Sequence, residues 1–437
     1  MKRLLLICGF ALVLVQFASA KATQPPCDRD HLSCPQPVPR MGRLVTSGAE
    51  TGAIGSAANG EGLTTLGTPI VSSPVRTGSF AYSSEVNGLD AGFTTTVGVT
   101  YFVRAYIYID TLPGGNDWLI QAANSTPAAG YNVGLQTDGT LQLRHGATTQ
   151  VGSSSAALSL NTWYRVELSW TIGAGSGDDS AELRLDGVMV ASESGATMNT
   201  VGTIPRIGGG NAGGVVYTDD IAINDNQGAN QNTWPGEGKV VLLKPISDSA
   251  KGTGWVNDAN AAANFFDATN NTPPVGIADT TASTGLHQIR NATSNANSSY
   301  DANLTTYTNA GIAAADTINL LVPVVATGAP VTTSAKQGTV GVSSNPVIAN
   351  VALGAGGTAG AFWSGVAAGT YPTGWKWSFG TTTYAPSVTK GNSPVARITQ
   401  VTSSTRIAMV CALGMYVDYT PVSGTTYTKA GYGVEHG

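Results

Sequence analysis

Two alternating stretches between Asn161 and Ser192 constrain the fold of this chain more than any other feature. In the first, Tyr164, Val166, Leu168 and Trp170 share one face, and Trp163, Arg165, Glu167 and Ser169 share the other. The second, from Ala181 to Asp186, repeats the alternation and runs into Asp186-Gly187, a dipeptide typical of two-residue hairpin turns. A period of two indicates half-buried strands, so the pattern predicts an antiparallel sheet here.

The same residues carry a family resemblance. A Trp-Tyr strand, a Gly/Asp loop and then the phrase ELRLDGVMVAS resemble the laminin-G-like branch of the concanavalin-A-like jelly rolls. The resemblance covers the chain from Arg43 to Asn226. It implies a two-sheet antiparallel sandwich of a kind that binds glycans or proteins, although such a fold does not by itself define a function.

Composition supports an all-β protein and excludes one class of partner. Only 11% of the 437 residues are charged and 55 are Gly, which suits short strands joined by turns better than long amphipathic helices. The net charge of −5 lacks the basic surface that nucleic-acid binding needs, so no nucleic-acid partner is expected.

Changes in residue composition and pattern along the chain predict six segments. These are a leader at 1–20, a Pro-rich tether at 21–40, a jelly-roll domain at 41–226, a linker at 227–238, a second β-sandwich-like domain at 239–421 and a flexible tail at 422–437. In the second domain, alternation up to Tyr419 indicates a strand buried on both faces, and Asp301 to Ala315 is a candidate for one short helix.

The leader has two interpretations. A basic start, an apolar run and a small-residue end at Ala18-Ser19-Ala20 follow the secretory signal pattern. Alternatively, translation starts at Met41, and the preceding residues are not part of the protein. In an exported chain, Cys27 and Cys34 are candidates for a disulfide, with free thiols as the alternative and a metal site involving His31 less favoured.

Longer phrases add a second resemblance. The runs DDIAINDNQG and NTWPGEGKVVLLKPISD, followed by NNTPPVGIAD, resemble tail or appendage structural proteins of tailed bacteriophages that carry this jelly roll. That resemblance spans Met41 to about Pro421. It implies a virion component whose partners are other virion proteins or a cell-surface glycan.

Catalytic signatures are missing from the sequence. Jelly-roll glucanases need two carboxylates at a set separation, and the nearest alternation here, Glu182 and Asp186, is interrupted by Arg184. Only four histidines occur, and neither a Gly-x-Ser-x-Gly elbow nor a metal-spaced His pair is present. We therefore expect that the protein is not an enzyme.

A calcium site is one candidate for binding. Asp219, Asp220, Asn224 and Asp225 cluster at the end of a strand, and laminin-G-like folds often hold Ca²⁺ at a sandwich rim. Oxygen ligands of this kind are the ones Ca²⁺ prefers. Adjacent strand residues point to opposite faces, so at most one of Asp219 and Asp220 is expected to join Asp225. The alternative is a polar strand end that caps turns.

Aromatic residues are the other candidates for binding. Trp363, Tyr371, Trp375 and Trp377 form the segment richest in aromatics, and Trp375 and Trp377 share a strand face suited to stacking on sugar rings. The alternative is that these side chains belong to the core.

Together these observations predict a non-enzymatic phage virion component, a tail or capsid appendage whose jelly roll contacts host glycans or stiffens the particle. An exported bacterial lectin-like adhesin is the alternative, and a secreted polysaccharide-acting enzyme is a third, less favoured one. The protein is expected in the virion or outside the cell, and secreted if the leader is genuine. Appendages are usually symmetric, which is compatible with a homo-oligomer.

Overall fold

The structure is a computed structural model. It describes residues 42–50, 63–65, 70–84, 88–123, 130–198, 203–210, 213–252, 255–257, 289–291, 298–328, 338–343, 347–353, 376–379, 394–400 and 409–422. All regular elements among them are strands. None of the described residues belongs to a helix long and apolar enough to cross a membrane.

The first half of the chain forms two antiparallel sheets. Their strands are β1 (Arg43–Ser47), β2 (Leu63–Thr65), β3 (Ile70–Val71), β4 (Ala81–Ser83), β5 (Leu89–Ala91), β6 (Thr100–Thr111), β7 (Asp117–Gln121), β8 (Tyr131–Leu135), β9 (Leu141–His145), β10 (Thr149–Val151), β11 (Trp163–Thr171), β12 (Asp179–Leu185), β13 (Val188–Ala196), β14 (Arg206–Ile207) and β15 (Val215–Asp225). Sheet A has the order β13-β12-β11-β6-β15-β4-β3, with β1 also paired to β15, and sheet B has the order β10-β9-β8-β7-β14-β5-β2.

Alternation along the strands builds the core between sheets A and B. Val166, Leu168 and Trp170 of β11 are buried there, as the sequence predicts. The Trp170 ring is 1% exposed and stacks on Tyr101 of β6, with 5.3 Å between the ring centroids. Because the residues between them face outward, each strand presents a second row of side chains on the outer face of its sheet.

The predicted hairpin is confirmed. Asp186 and Gly187 join β12 to β13, and both have positive φ, 51° and 85°. Two-residue hairpin turns with this backbone match the twist of the flanking strands, which is why the Asp-Gly dipeptide is favoured.

The second half of the chain forms two further antiparallel sheets. Their strands are β16 (Lys239–Leu243), β17 (Pro245–Lys251), β18 (Trp255–Asn257), β19 (Ile289–Asn291), β20 (Ser298–Leu304), β21 (Thr317–Gly328), β22 (Gly338–Ser343), β23 (Val347–Leu353), β24 (Lys376–Phe379), β25 (Val395–Gln400) and β26 (Met409–Thr420). Sheet C has the order β18-β19-β26-β21-β24, with β16 also paired to β26, and sheet D has the order β17-β20-β25-β22-β23.

Strand β26 is central to sheet C. From Met415 to Tyr419, every side chain on both faces is buried, as the sequence predicts for this strand. The burial includes Asp418, which is 0% exposed in the middle of an otherwise apolar run. A buried carboxylate needs partners, and the charged partners of Asp418 lie outside sheet C.

The short helix predicted between Asp301 and Ala315 is wrong. Residues up to Leu304 belong to β20, which pairs with both β17 and β25. Beyond them the chain makes hydrogen-bonded turns, with Ala310 N donating to Thr306 O and Ile312 N donating to Tyr307 O. Pairing on both sides of β20 outweighs the local helical preference of the segment.

The all-β, antiparallel class of the prediction is confirmed by this set of sheets. The described residues between 42 and 422 belong to one compact unit. Strands β1 and β15 of sheet A contact β26 and β16 of sheet C, so the outer face of sheet A lies against the second half of the chain at one end. That face holds the candidate site.

Candidate functional site

The structure brings two of the predicted calcium ligands together in an unexpected way. Asp219 Oδ2 accepts hydrogen bonds from the backbone N–H groups of Arg76 and Thr77, at 3.0 and 3.2 Å. Asp220 Oδ2 accepts from the side chains of the same two residues. Both carboxylates therefore meet one segment, and the prediction that they point to opposite faces is wrong.

A β-bulge causes this arrangement. The register between β15 and β6 shifts between Asp219 and Ala222, and Asp220 has a φ of 48°. A left-handed residue at a bulge re-aims the following side chains, so the strict alternation that the prediction assumed does not apply. Burial raises the pKa of Asp219 well above its ordinary value, and the nearby charges of Asp220 and Glu50 raise it further.

Protein groups donate hydrogen bonds to both the Asp219 and the Asp220 carboxylates. Asp225, the third predicted ligand, uses Oδ1 to accept a hydrogen bond from Gln227 N at 2.9 Å, farther along β15. Within the described ranges, no group of three or more acidic, His or Cys side chains is placed to hold a metal ion. The calcium prediction therefore finds no support in the geometry of these aspartates.

The predicted aromatic and disulfide residues lie almost entirely outside the described residues. Trp377 belongs to β24, but nothing further is described of its side chain. Trp363, Tyr371, Trp375, Cys27 and Cys34 all fall outside the described ranges. Glycan stacking and the disulfide remain predictions for these positions.

Asp220 belongs to a charged group that we call the junction cluster: Arg43, Arg76, Arg104, Asp220, Glu237 and Asp418. Asp418 Oδ2 lies 2.6 Å from Arg43 Nη1 and 3.2 Å from Arg104 Nη2, and the side chains of all three are at most 1% exposed. Three arginines and three carboxylates balance the charge of the cluster. It joins strands β1, β6 and β15 of the first half to β26 of the second.

Further hydrogen bonds complete the cluster. Asn319 Nδ2 donates to Asp418 Oδ1 at 3.0 Å, and Val240 N donates to Asp220 Oδ1 at 2.6 Å. Burial alone would raise the pKa of Asp418, but the charges of Arg104 and Arg43 outweigh that effect and hold the pKa below its ordinary value. The carboxylate is therefore ionised at neutral pH and satisfied by its partners.

The segment between the two halves lies on sheet A. Trp234 packs edge-on against Phe102, with ring centroids 5.4 Å apart, and the guanidinium carbon of Arg184 lies 4.1 Å from the Trp234 ring. Glu237 binds Arg76 and Arg165, at 2.9 and 3.0 Å. The predicted linker is thus attached to the sheet by ring contacts and ion pairs.

The other end of the same outer face carries a different set of side chains. Trp163 of β11, Tyr108 of β6 and Tyr217 of β15 are direct cross-strand neighbours. The Tyr108 ring lies 5.3 Å from the Trp163 ring and 6.1 Å from the Tyr217 ring, and all three side chains are partly exposed. We call this group the aromatic row.

Polar atoms border the aromatic row. Tyr108 Oη donates to Asn161 Oδ1 at 3.0 Å, and both Asn161 and Asp110 are exposed. The rings are inclined to each other by 52° and 69°, so they form a faceted surface and not a flat one. Such a surface offers apolar area for one sugar ring together with hydrogen-bonding groups at its edge.

The sequence contains part of the signal for the aromatic row, namely aromatic residues at outward positions of two strands. Trp163 was correctly placed on the outward face of its strand, and Tyr108 also lies at an outward position, between two core isoleucines. What the sequence does not reveal is that β6 lies between β11 and β15 in the sheet, because that order is not the order of the chain.

Comparison with known proteins gives only distant likenesses. No family model matches the chain, and no curated protein matches it. Among solved structures, a sialidase from Trypanosoma rangeli is 16% identical with a TM-score of 0.30, over 42% of this chain and 30% of the sialidase. The match therefore spans less than a third of the sialidase's length.

Two further solved structures are matched over most of their own length. The cellulose induced protein Cip1 is 15% identical, with a TM-score of 0.29 over 39% of this chain and 88% of Cip1. Domain 4 of a GH43 extracellular arabinanase from Geobacillus stearothermophilus, solved with arabinotriose, is 12% identical, with a TM-score of 0.29 over 44% of this chain and 95% of that domain. At TM-scores this low, the likenesses carry no argument about this chain.

Proposed function

We propose that this chain is a non-enzymatic structural and binding protein, a tail or capsid appendage of a phage virion whose first sandwich contacts glycans on the host surface. The observation that carries the proposal is the aromatic row, Trp163, Tyr108 and Tyr217, on the outer face of sheet A. Tyrosine and tryptophan combine a large apolar surface with a polar edge, which suits contact with sugars.

The junction cluster supports the structural part of the proposal. The buried part of this cluster, Arg43, Arg104 and Asp418, joins the two halves, so that loosening one half from the other leaves buried charges without partners. An appendage that bears load between a particle and a cell surface benefits from such a rigid connection. Its partners in the particle are other virion proteins, and copies of itself if the appendage is symmetric.

The carboxylates on the outer face of sheet A favour binding over hydrolysis. Glu237 is paired with Arg76 and Arg165, and Glu167 lies 3.1 Å from Arg165. A glycosidase needs one carboxyl group to donate a proton and another to act as base or nucleophile. Both carboxylates are occupied by ion pairs with arginines, so incubation with polysaccharides is expected to release no reducing ends.

An immobilised-glycan screen of the full chain tests the proposal. We expect at least one host-surface glycan to bind the wild-type protein and the Ile246→Ala control, which removes an exposed apolar side chain from the second half. The Trp163→Ala variant should bind the same glycan about tenfold more weakly, as expected for loss of about 1.4 kcal/mol of stacking. Equal binding by all three proteins would refute the role of the aromatic row.

An exported lectin-like adhesin is the second candidate, favoured by the secretory pattern of residues 1–20. The mature N-terminus of the native protein separates the two. A start at Lys21 indicates export and favours the adhesin, whereas a start at Met41 or Gly42 favours the virion protein.

A further inference from the structure

Arg144 is the exception among the arginines of this structure. Six other arginine side chains are described, and each has a carboxylate within ion-pair distance: Arg43, Arg76, Arg104, Arg165, Arg184 and Arg206. Arg144 has no such partner among the described residues. In a chain with a net charge of −5, an arginine without a carboxylate is notable.

Neutral oxygens hold the Arg144 guanidinium in place. Its Nη2 donates to Gln142 Oε1 at 2.7 Å and to Gln136 Oε1 at 3.1 Å. Its Nη1 donates to the backbone oxygens of Ala147 and Thr148 at 3.4 and 3.3 Å. These acceptors orient the guanidinium without neutralising its charge, and the two contacts to backbone oxygens are long enough to be exchanged readily.

Two more contacts fix the group. With its amide oxygen facing Arg144, Asn116 accepts from Nη2 and Nη1 at 3.1 and 3.2 Å. Arg144 Nε is buried and has no hydrogen-bond partner among the described residues. Burial lowers the pKa of Arg144, which is the direction expected for a cation that no nearby carboxylate stabilises.

An indole ring lies beside the guanidinium. The carbon at the centre of the Arg144 guanidinium is 5.9 Å from the Trp118 ring centroid, and Trp118 is partly exposed. Gly134 of β8 is paired with Trp118 of β7 on one side and with Gln142 of β9 on the other. A Cβ at position 134 would make ordinary van der Waals contacts with the indole, at 3.4 Å, and with Arg144 Nε, at 3.5 Å, so both groups lie close to the sheet at this glycine.

From this arrangement we infer that the outer face of sheet B binds a saccharide bearing a carboxylate, such as a uronic or sialic acid residue, with Arg144 binding the carboxylate and Trp118 stacking on the sugar ring. Charge-assisted bonds from an oriented guanidinium are about twice as strong as neutral ones.

This site is separate from the aromatic row, which lies on the other sheet. The inference goes beyond the proposed function and can succeed or fail independently of it, since the row offers rings and neutral polar atoms whereas this site offers an oriented charge. A carboxylate of a protein partner has the same chemistry as the acidic sugar, and the experiment separates the two.

The test is calorimetric titration of the full chain with 3′-sialyllactose and tri-galacturonate, with lactose as the neutral counterpart. We expect one of the two acidic saccharides to bind at least tenfold more tightly than lactose, and to weaken as salt increases. Arg144→Gln should reduce that affinity at least tenfold. Arg184→Gln, on the other sheet, should leave the affinity unchanged.

Arg144→Lys provides a second variant that keeps the charge. Because an ammonium group cannot reproduce the planar fork of a guanidinium, it should also weaken binding, though less than glutamine does. Thermal unfolding of each variant controls for folding. Three results would overturn the inference. The protein could bind lactose as tightly as the acidic saccharides, Arg144→Gln could bind the acidic saccharide as tightly as the wild type does, or neither acidic saccharide could bind at millimolar concentration. If Arg144→Gln altered only the self-association of the protein, and not its affinity for the acidic saccharide, the inference would also be overturned, in favour of a protein carboxylate.

Discussion

Arg104 and Asp418 are 314 residues apart in the chain, yet their side chains meet at 3.2 Å with no exposure to solvent. Arg104 lies in the middle strand of the first sandwich, and Asp418 in the central strand of the second half. The contact couples the outer face of sheet A to sheet C.

Replacing Asp418 with Asn should destabilise the protein by about 3–5 kcal/mol, because two buried guanidinium groups lose their counter-charge. Urea unfolding monitored by tryptophan fluorescence measures the change. Glu182→Gln is the matched control, since its ion pair with Arg184 is only partly buried. That variant should lose no more than about 1 kcal/mol.

Gly238→Ala should disturb the same contact indirectly. A Cβ at this position would overlap Arg104 Nη1 and push the guanidinium away from Asp418. We expect a loss of roughly 1–3 kcal/mol in unfolding free energy, as for other overpacked sites. Gly115→Ala is the control, because no atom lies within 4 Å of the new Cβ. Equal stability of the two variants would mean that Arg104 is not confined.

The contribution of Asp418 should depend on pH in a defined direction. Its pKa is held below the ordinary value by Arg104 and Arg43 despite burial, so the folded state binds the proton more weakly than the unfolded chain. The stabilisation is therefore complete above about pH 4 and lost as pH falls through the folded pKa. The difference in unfolding free energy between the wild type and Asp418→Asn should shrink below that pH. A difference that stays constant down to pH 2 would contradict the ion-pair explanation.

Two tryptophans on opposite faces of β11 should behave differently. Trp170 is 1% exposed and stacks on Tyr101, so Trp170→Ala should cost about 3–5 kcal/mol of stability. Trp163 lies on the outer face and is partly exposed, and its replacement should cost about 1 kcal/mol or less. Thermal and urea unfolding of both variants checks the contrast. If Trp163→Ala destabilised as much as Trp170→Ala, the aromatic row would be part of the core.

Local patterns predicted the parts of the fold that depend on neighbouring residues. Alternation identified the buried face of β11, and Asp186-Gly187 identified the hairpin, because strand period and turn backbone are set by a few adjacent side chains. The bulge at Asp220 was not predictable in the same way. Its left-handed backbone is coupled to contacts with Arg76, 144 residues away in the chain, and with Val240, 20 residues away.

The candidate sites depend still more on long-range order. Nothing near Arg144 in the sequence shows that it lacks a carboxylate, since that requires knowing every neighbour in the sheet. Asp418 reads as one polar residue in an apolar strand until Arg43 and Arg104 are placed beside it. The sequence could therefore predict strands and faces, but not the strand order that brings these side chains together.

The most direct test of the account is equilibrium binding of the full chain to polysaccharide purified from the surface of its host cell, with and without the Trp163→Ala change. Binding that weakens about tenfold in the variant, while Ile246→Ala binds like the wild type, is the predicted result. Absence of binding by the wild-type protein, or equal binding by all three proteins, would contradict the proposal that the aromatic row contacts host glycans.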